Sequence, residues 1–257
     1  MTALYTLSAV TLTVPGRTLL HGLDLCLPRG KVTGLIGHNG SGKSTLLKLL
    51  SRQSRPTKGT LAFAGRPLSD WPAKALARHL AYLPQHPPAA EGLSVRELAA
   101  LGRYPWHGAL GRPGPEDRTA TDAAIAACGL ASLAERRVDT LSGGEAQRAW
   151  LAMLIAQEAG TLLLDEPISA LDIAHQVEVL TLVQSLCHAR GRSVVVVLHD
   201  LNMAARYCDH IVALKSGRLV FEGAPGDLMT PDRLHDIYGA RMEVMTRADG
   251  CPVALPV

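Results

Sequence analysis

Leu23, Leu25 and Leu27 fall at every second position of residues 7–30, a stretch in which apolar and polar residues alternate. A period of two predicts half-buried antiparallel strands. Pro28-Arg29-Gly30 predicts a turn into the apolar run 32–36, and Leu46, Leu47, Leu49 and Leu50 follow it at helical spacing. A further strand pair is predicted over 60–63 and 80–83. From Pro84 to about Arg148 the pattern changes. Pro87-Pro88 and a Gly/Pro-rich loop over 102–115 surround helical spacings at 95–101 and 119–128, which read as an inserted helical part. The runs 162–164 and 194–198 are short and wholly apolar, as expected of parallel strands buried on both faces. Between them 172–190 predicts a helix, with Val179, Leu182, Val183 and Leu186 on one face and Gly191 at its end. A hairpin is predicted over 211–220 around Ser216-Gly217. The tail ending at Val257 shows no regular period.

The 257 residues suffice for one nucleotide-binding domain with a subdomain, and are too few for two tandem copies. Apolar residues make up 47% and aromatic ones only 4%, so the core is expected from Leu, Ala and Val. A net charge of +3 is too small to indicate a nucleic-acid partner, and the densest basic pair, Arg136-Arg137, reads as a solvated helix end. The five cysteines are scattered without a C-x-x-C pair, which argues against a disulfide framework or a zinc site and fits a reducing compartment. The first residues lack the basic region of a signal peptide. No window reaches the ~20 apolar residues that span a bilayer.

The densest chemistry lies in Gly37-His38-Asn39-Gly40-Ser41-Gly42-Lys43-Ser44-Thr45, which has the form G-x-x-x-x-G-K-[ST] between a predicted strand and a predicted helix. Glycines let the backbone curl so that successive N–H groups point at phosphate oxygens, and the helix start adds its positive dipole end. Lys43 would reach the β- and γ-phosphates, and the Ser44 hydroxyl would complete a Mg²⁺ shell. The segment implies a nucleoside triphosphate.

Asp165 and Glu166 follow Leu162-Leu163-Leu164 at the C-terminal end of a predicted buried strand, the edge where ligands sit in open α/β sheets. Asp165 would hold Mg²⁺ through its water shell, and Glu166 would polarise the attacking water. Buried acids are costly without compensating charge or donors. Ser142 with Glu145 three residues on forms a capping box, so a helix starts there. Gly143 and Gly144 lie in its first turn, although each weakens a helix by roughly 1 kcal/mol relative to alanine. A second anion-binding helix terminus accounts for them. Since the glycine-rich loop already takes the phosphates within one subunit, this second terminus is expected to face the nucleotide of another copy.

Taken together, the P-loop, Gln85 after Tyr82-Leu83-Pro84, Leu141-Ser142-Gly143-Gly144, Asp165-Glu166, Ser169-Ala170-Leu171-Asp172 and His199-Asp200 resemble the ATP-binding cassette of ABC transporters, in that family's order. The resemblance runs from about residue 5 to 240. It implies an α/β fold, a P-loop NTPase core of the ABC ATPase kind with an N-terminal antiparallel β subdomain and an inserted α-helical subdomain. The expected division is 1–84 for the β subdomain and P-loop part, 85–150 for the helical signature subdomain, 151–224 for the second part of the core, and 225–257 for a C-terminal helix and tail. It also implies a head-to-tail homodimer burying two ATP molecules with Mg²⁺. Gly37, His38, Asn39, Gly40, Ser41, Gly42, Lys43, Ser44 and Thr45 of one subunit would bind each ATP, with Ser142, Gly143, Gly144 and Gln147 of the other. Ser44, Gln85 and Asp165 would hold Mg²⁺. Catalysis would rest on Glu166, His199, Gln85 and Lys43, with Glu166 as general base, an effect of ~10²–10⁴-fold. Asp172 would link the two sites. The expected setting is the cytoplasmic face of the inner membrane, peripheral, on a separate permease that contacts the helical subdomain and works with a substrate-binding protein.

Finer matches resemble the ATPases of ferric hydroxamate siderophore importers: residues 15–21, 102–108 with Trp106 and His107, Asp172-Ile173-Ala174-His175-Gln176, and 202–207. This likeness alone suggests a cargo, with haem, cobalamin and catecholate siderophores as alternatives, since the cassette does not touch what is carried. Three positions depart from the family pattern: Ala146 in place of Arg, Ile168 in place of Thr, and Val14 where an adenine-stacking aromatic is usual. Stacking is worth ~1–3 kcal/mol per base, so weak discrimination among ATP, GTP and CTP is expected unless Tyr5 fills the role. DNA-repair ATPases share the signature motif but insert long coiled coils before it, and none lies between Lys43 and Ser142. Translation-associated cassette proteins resemble tandem cassettes, and this chain has one. His199, Asp200, Cys208 and His210 lack metal-ligand spacing.

Overall fold

The computed structural model describes residues 3–108, 111–169, 171–248 and 250–257. Met1, Thr2, Ala170 and two positions of the 102–115 stretch, Ala109 and Leu110, lie outside the described residues. In chain order the elements are β1 (Ala3–Val14), β2 (Arg17–Pro28), β3 (Val32–Ile36), α1 (Lys43–Leu50), β4 (Lys58–Phe63) and β5 (Arg66–Pro67). Next come α2 (Ala73–His79), β6 (Leu80–Leu83), α3 (Val95–Leu101), α4 (Tyr104–His107), α5 (Pro115–Ala127), α6 (Gly143–Ala156), β7 (Thr161–Leu164) and α7 (Ile173–His188). The chain ends with β8 (Ser193–Val197), α8 (Leu201–Tyr207), β9 (His210–Lys215), β10 (Arg218–Gly223), α9 (Pro225–Leu228), α10 (Pro231–Tyr238), β11 (Met242–Thr246) and β12 (Pro252–Pro256). Two compact units result, Met1–Trp71 with Cys187–Val257, and Pro72–Leu186.

In the first unit, β2, β1, β4 and β5 form an antiparallel sheet in that order. Its inward face is the alternating set read from the sequence. Tyr5 is fully buried there, its hydroxyl donates to the Leu50 carbonyl at 3.0 Å, and its ring packs on Phe63. That bond satisfies a phenol that would otherwise be costly inside an apolar core, and it ties the sheet to the end of α1. Strands β9, β3 and β8 run parallel, with β3 in the middle and every residue of β3 and β8 buried. β10 adds antiparallel to β9 through Ser216 and Gly217, both left-handed at φ 48° and 73°, as a two-residue hairpin turn requires.

Two expectations are corrected. Segments 60–63 and 80–83 are strands but not partners: β4 pairs with β1 and β5, and β6 pairs parallel with β7. Apolar runs of this length specify a strand without specifying its neighbour. The tail carries a regular element after all, the antiparallel hairpin β11–β12. Its register is set by cross-strand bonds and by Asn202, whose amide donates to the Ala254 carbonyl at 3.1 Å and accepts the Ala254 N–H at 2.8 Å.

In the second unit, α3, α5 and α6 pack around Arg103, which is 5% exposed. Its guanidinium donates to Asp117 at 2.9 Å, to the Ala156 carbonyl at 2.9 Å and to Glu158 at 2.5 Å. Neighbouring Gly102 lets α3 approach α6: a Cβ there would lie 2.1 Å from the Met153 carbonyl oxygen. The loop expected over 102–115 is in part helical, as the turn α4. Among the described residues no helix is long and apolar enough to cross a membrane.

The Arg103 side chain, then the Gly114 N–H, hold the Asp117 carboxyl below the usual carboxylate range. A lowered pKa in the folded state contributes stability that is complete above the unfolded value and lost as pH falls through the lowered one. Arg103→Met is therefore expected to cost about 3 kcal/mol at neutral pH, measured by urea unfolding. The difference from the parent should shrink as the pH is taken down through the Asp117 titration.

Candidate functional site

The P-loop leaves β3 at its C-terminal end, and its shape depends on contacts that exclude side chains. Gly37 sits at φ 134°, where a Cβ would lie 2.1 Å from the Leu214 carbonyl oxygen. Gly40 and Gly42 are also left-handed, at φ 78° and 105°, and Gly42 caps α1. The turn between β9 and β10 braces the loop, because the Gly217 N–H donates to Ser41 O at 2.9 Å while Gly217 O accepts from His21 N at 2.9 Å. Ser41 is buried, whereas His38, Asn39 and Gly40 are exposed at the crest and Ser44 and Thr45 are half-buried at the helix start. Lys43, 5% exposed, turns its ammonium back to Gly37 O at 2.8 Å and His38 O at 3.1 Å. These carbonyls aim a fixed positive charge into the curl of the loop. His199 follows β8, which pairs with β3 up to Leu35 and Val197, so it emerges at the same sheet edge. Asp200 caps α8 there by accepting Met203 N–H at 2.9 Å.

In the second unit, the parallel pairing of Leu83 with Leu164 brings Gln85 and the Asp165-Glu166 pair to one edge. Asp165 is 3% exposed, its N–H donates to Leu83 O at 2.9 Å, and burial together with its charge pushes the Tyr82 phenol up to about 12. The Gln85 amide donates to Glu166 at 2.7 Å. Glu166 has left-handed backbone, φ 51°, a conformation costing about 1–3 kcal/mol in a non-glycine residue and typical of functional positions. The strand end therefore holds a buried acid beside a strained, half-buried one, with an amide donor on it.

Ser142 begins α6 as the capping box foresaw. Its hydroxyl accepts from Glu145 N at 3.3 Å, and the Glu145 carboxylate accepts from the Ser142 N–H at 2.8 Å and from its hydroxyl at 2.9 Å. Those bonds, the Ser142 N–H first, keep the Glu145 carboxyl below its usual range. Gly143 is exposed, and Gly144 and Gln147 are half-buried on the first turns. Asp172 lies in the same unit, before α7, where it accepts the His175 N–H at 2.9 Å.

Sequence reasoning missed the contacts made by His175 and Gln176. The Gln176 amide donates to Leu171 O at 3.0 Å and Ile168 O at 3.3 Å, and His175 bonds Asp172 and packs on Gly144. Their adjacency to Asp172 was the available signal. Gly217 was read only as a hairpin turn, and nothing in its local sequence points to the P-loop. Among the described residues, one group of three metal-capable side chains occurs, Cys187, His188 and Asp209. Asp209 there accepts from His188 at 3.0 Å and from the Val32 N–H at 2.8 Å, which reads as a staple between the end of α7 and β3. The Cys187 thiol is pushed up to about 11 by burial, then by Asp209, and so stays protonated at neutral pH.

Tyr5 does not replace the aromatic absent at Val14. Its ring belongs to the core and its hydroxyl to Leu50, while Val14 is half-buried at the end of β1.

The family model for the ABC transporter matches residues 20–169. The achromobactin transport ATP-binding protein CbrD of Dickeya dadantii (strain 3937) is 45% identical over 89% of this chain and 85% of its own length. The iron(3+)-hydroxamate import ATP-binding protein FhuC of Bacillus subtilis (strain 168) is 43% identical over 90% of this chain and 86% of its own. A solved dimeric post-hydrolysis structure of the ATP-binding cassette MJ0796, bound to ADP and Pi, superimposes with a TM-score of 0.76 at 26% identity, covering 86% of this chain and 98% of that one.

With no aromatic at Val14 and Tyr5 withdrawn into the core, hydrolysis rates for ATP, GTP and CTP at subsaturating concentrations are expected within about tenfold of one another, since base stacking is the missing term. A steady-state comparison of the three nucleotides checks this; a preference for ATP far beyond that range would show another grip on adenine.

Proposed function

This chain belongs to the ABC transporter family and is an ATPase of that family, and from that premise we propose that it powers uptake of an iron chelate through a separate membrane permease. The observation that carries the proposal is the likeness, over some nine-tenths of the chain, to ATP-binding proteins of achromobactin transport and iron(3+)-hydroxamate import. The finer reading is a ferric hydroxamate siderophore. It rests on the match at residues 102–108 and 172–176.

In this proposal residues 37–45 bind the triphosphate of ATP, with Lys43 on its terminal phosphates. Ser44, Gln85 and Asp165 offer a hydroxyl, an amide oxygen and a carboxylate, the hard oxygen donors that suit Mg²⁺. Bound Mg²⁺ would neutralise phosphate charge. Phosphoryl transfer depends on positioning and charge neutralisation more than on covalent help. Glu166 takes the proton of the attacking water, and the Gln85 amide, which donates to that carboxylate, orients it. His199 contacts the γ-phosphate. Ser142, Gly143, Gly144 and Gln147 of a second copy close over the same nucleotide, and Asp172 joins the two sites; the dimeric structure of the MJ0796 cassette bound to ADP and Pi supports a dimer.

The helical segment 85–150 is the proposed landing surface for the permease, on the cytoplasmic face of the inner membrane. Leu101 and Tyr104 are 52% and 54% exposed there. Trp106 is partly anchored, its indole N–H donating to Gln157 O at 2.9 Å and its ring flanked by Arg78 and Arg103. A substrate-binding protein would deliver the cargo from the far side.

Glu166→Gln keeps the side chain's size and removes the base, so it is expected to accumulate a MgATP-bound dimer that size-exclusion chromatography resolves. A protein that stays monomeric at saturating MgATP counts against the sandwich. With the permease reconstituted, Tyr104→Glu is expected to reduce ⁵⁵Fe-hydroxamate uptake by about tenfold or more through the charge it places in the interface, while hydrolysis by the isolated subunit stays within about twofold. Unchanged uptake would move the docking surface elsewhere.

A further inference from the structure

We propose that His175 is a positioning residue that locks the signature helix α6 to the segment carrying Asp172, so that the two elements offered to a partner's ATP act as one body. The inference rests on the dimer reading above for its consequence, and on this chain's own geometry for the brace.

His175 is the third residue of α7 and makes two separate contacts. Its N–H donates to Asp172 Oδ1 at 2.9 Å and its ring Nδ1 lies 2.8 Å from the same oxygen. A carboxylate only accepts, so Nδ1 carries the proton in this contact. The other contact is the ring itself. A Cβ built on Gly144 would lie 3.4 Å from His175 Cγ and 3.5 Å from Cδ2, with Leu171 Cδ2 at 3.6 Å. The second glycine of the signature therefore lies beside the imidazole.

Neither contact is needed to build the helices. Asp172 already caps α7 through the His175 backbone, and Ser142 caps α6 with Glu145. The ring adds a link between two elements 31 positions apart in sequence. Gln176 reinforces the same segment by donating to Leu171 O and Ile168 O. Asp172 and Ser142 are both exposed in the single subunit, and holding exposed groups in one arrangement before association lowers the ordering cost of the encounter. Binding of ATP to the P-loop of a single subunit does not use this link. Loss of the link should therefore weaken assembly and turnover while leaving that first binding step alone.

The test adds H175A, H175N and H175F one at a time to a Glu166→Gln protein. MgATP-driven dimerisation is measured by analytical ultracentrifugation, nucleotide binding to the monomer by fluorescence titration, and amide hydrogen exchange on the nucleotide-free protein. H175N keeps an N–H donor close to the place of Nδ1, and H175F keeps a ring against Gly144. H175A is expected to raise the dimer dissociation constant about tenfold, the order expected for one lost hydrogen bond to a charged group. H175N, which keeps the bond to Asp172 without the ring, and H175F, which keeps the ring without the bond, should each recover only part of the loss, with monomer binding unchanged. Exchange over 142–147 and 168–176 should rise together in H175A. The proposal is overturned if H175A dimerises like its parent, or if all three variants lose dimer in proportion to a falling Tm. Should the Glu166→Gln parent itself stay monomeric, the dimer reading has failed, and exchange alone then decides the brace: a joint rise in the two segments upholds it, and no joint rise overturns it.

Discussion

The close approach of Gly37 to the Leu214 carbonyl is the constraint on which the shape of the glycine-rich loop depends. A side chain at that position would need the space of a backbone oxygen 2.1 Å away. The loop can curl at the end of β3 only because nothing is there. Gly217 completes the constraint from the other side. It joins Ser41 to His21, and its own Cβ would fall 2.2 Å from the Leu19 carbonyl oxygen. The antiparallel sheet, the β9–β10 hairpin and the P-loop thus share one junction made of backbone, where hydrogen bonds replace side-chain packing. Tyr5 ties the far end of α1 to the same sheet, so the helix that follows the loop is held at both ends.

The second unit is organised by charge and capping. Arg103 collects Asp117, Glu158 and a helix-end carbonyl around one buried guanidinium, a network in which each partner offsets the desolvation of the others. Its loops carry the proposed reactive groups. Asp165 is buried at a strand end and Glu166 adopts left-handed backbone. Gln85 bonds to Glu166, so the acid proposed to activate water is engaged by the amide proposed to meet the metal.

Much of the site was legible because its motifs are local. The glycine spacing of 37–42 reports positive φ, Ser142 with Glu145 reports a helix start, and Leu162 to Leu164 before two acids reports a buried strand ending in charge. Each signal involves residues within a few positions of one another, and each appears in the structure as the expected local element. The missed features join distant residues. Gly217 is 176 positions from Ser41, and His175 is 31 from Gly144. The misassigned pairing of 60–63 with 80–83 has the same origin, because an apolar run reveals its own burial and not the strand beside it.

Sequence by itself determined the order of the motifs, the type of the elements that carry them and the family to which the chain belongs. Backbone propensity and phosphate-binding geometry act over short stretches and leave their mark residue by residue. Tertiary structure decided which strands pair, that the tail folds into a hairpin held by Asn202, and that Tyr5 belongs to the core instead of a base. It also decided that His175 lies beside the second signature glycine. Such outcomes depend on packing and hydrogen bonds between segments far apart in the chain, where many partners satisfy the same local pattern and only the assembled fold selects one.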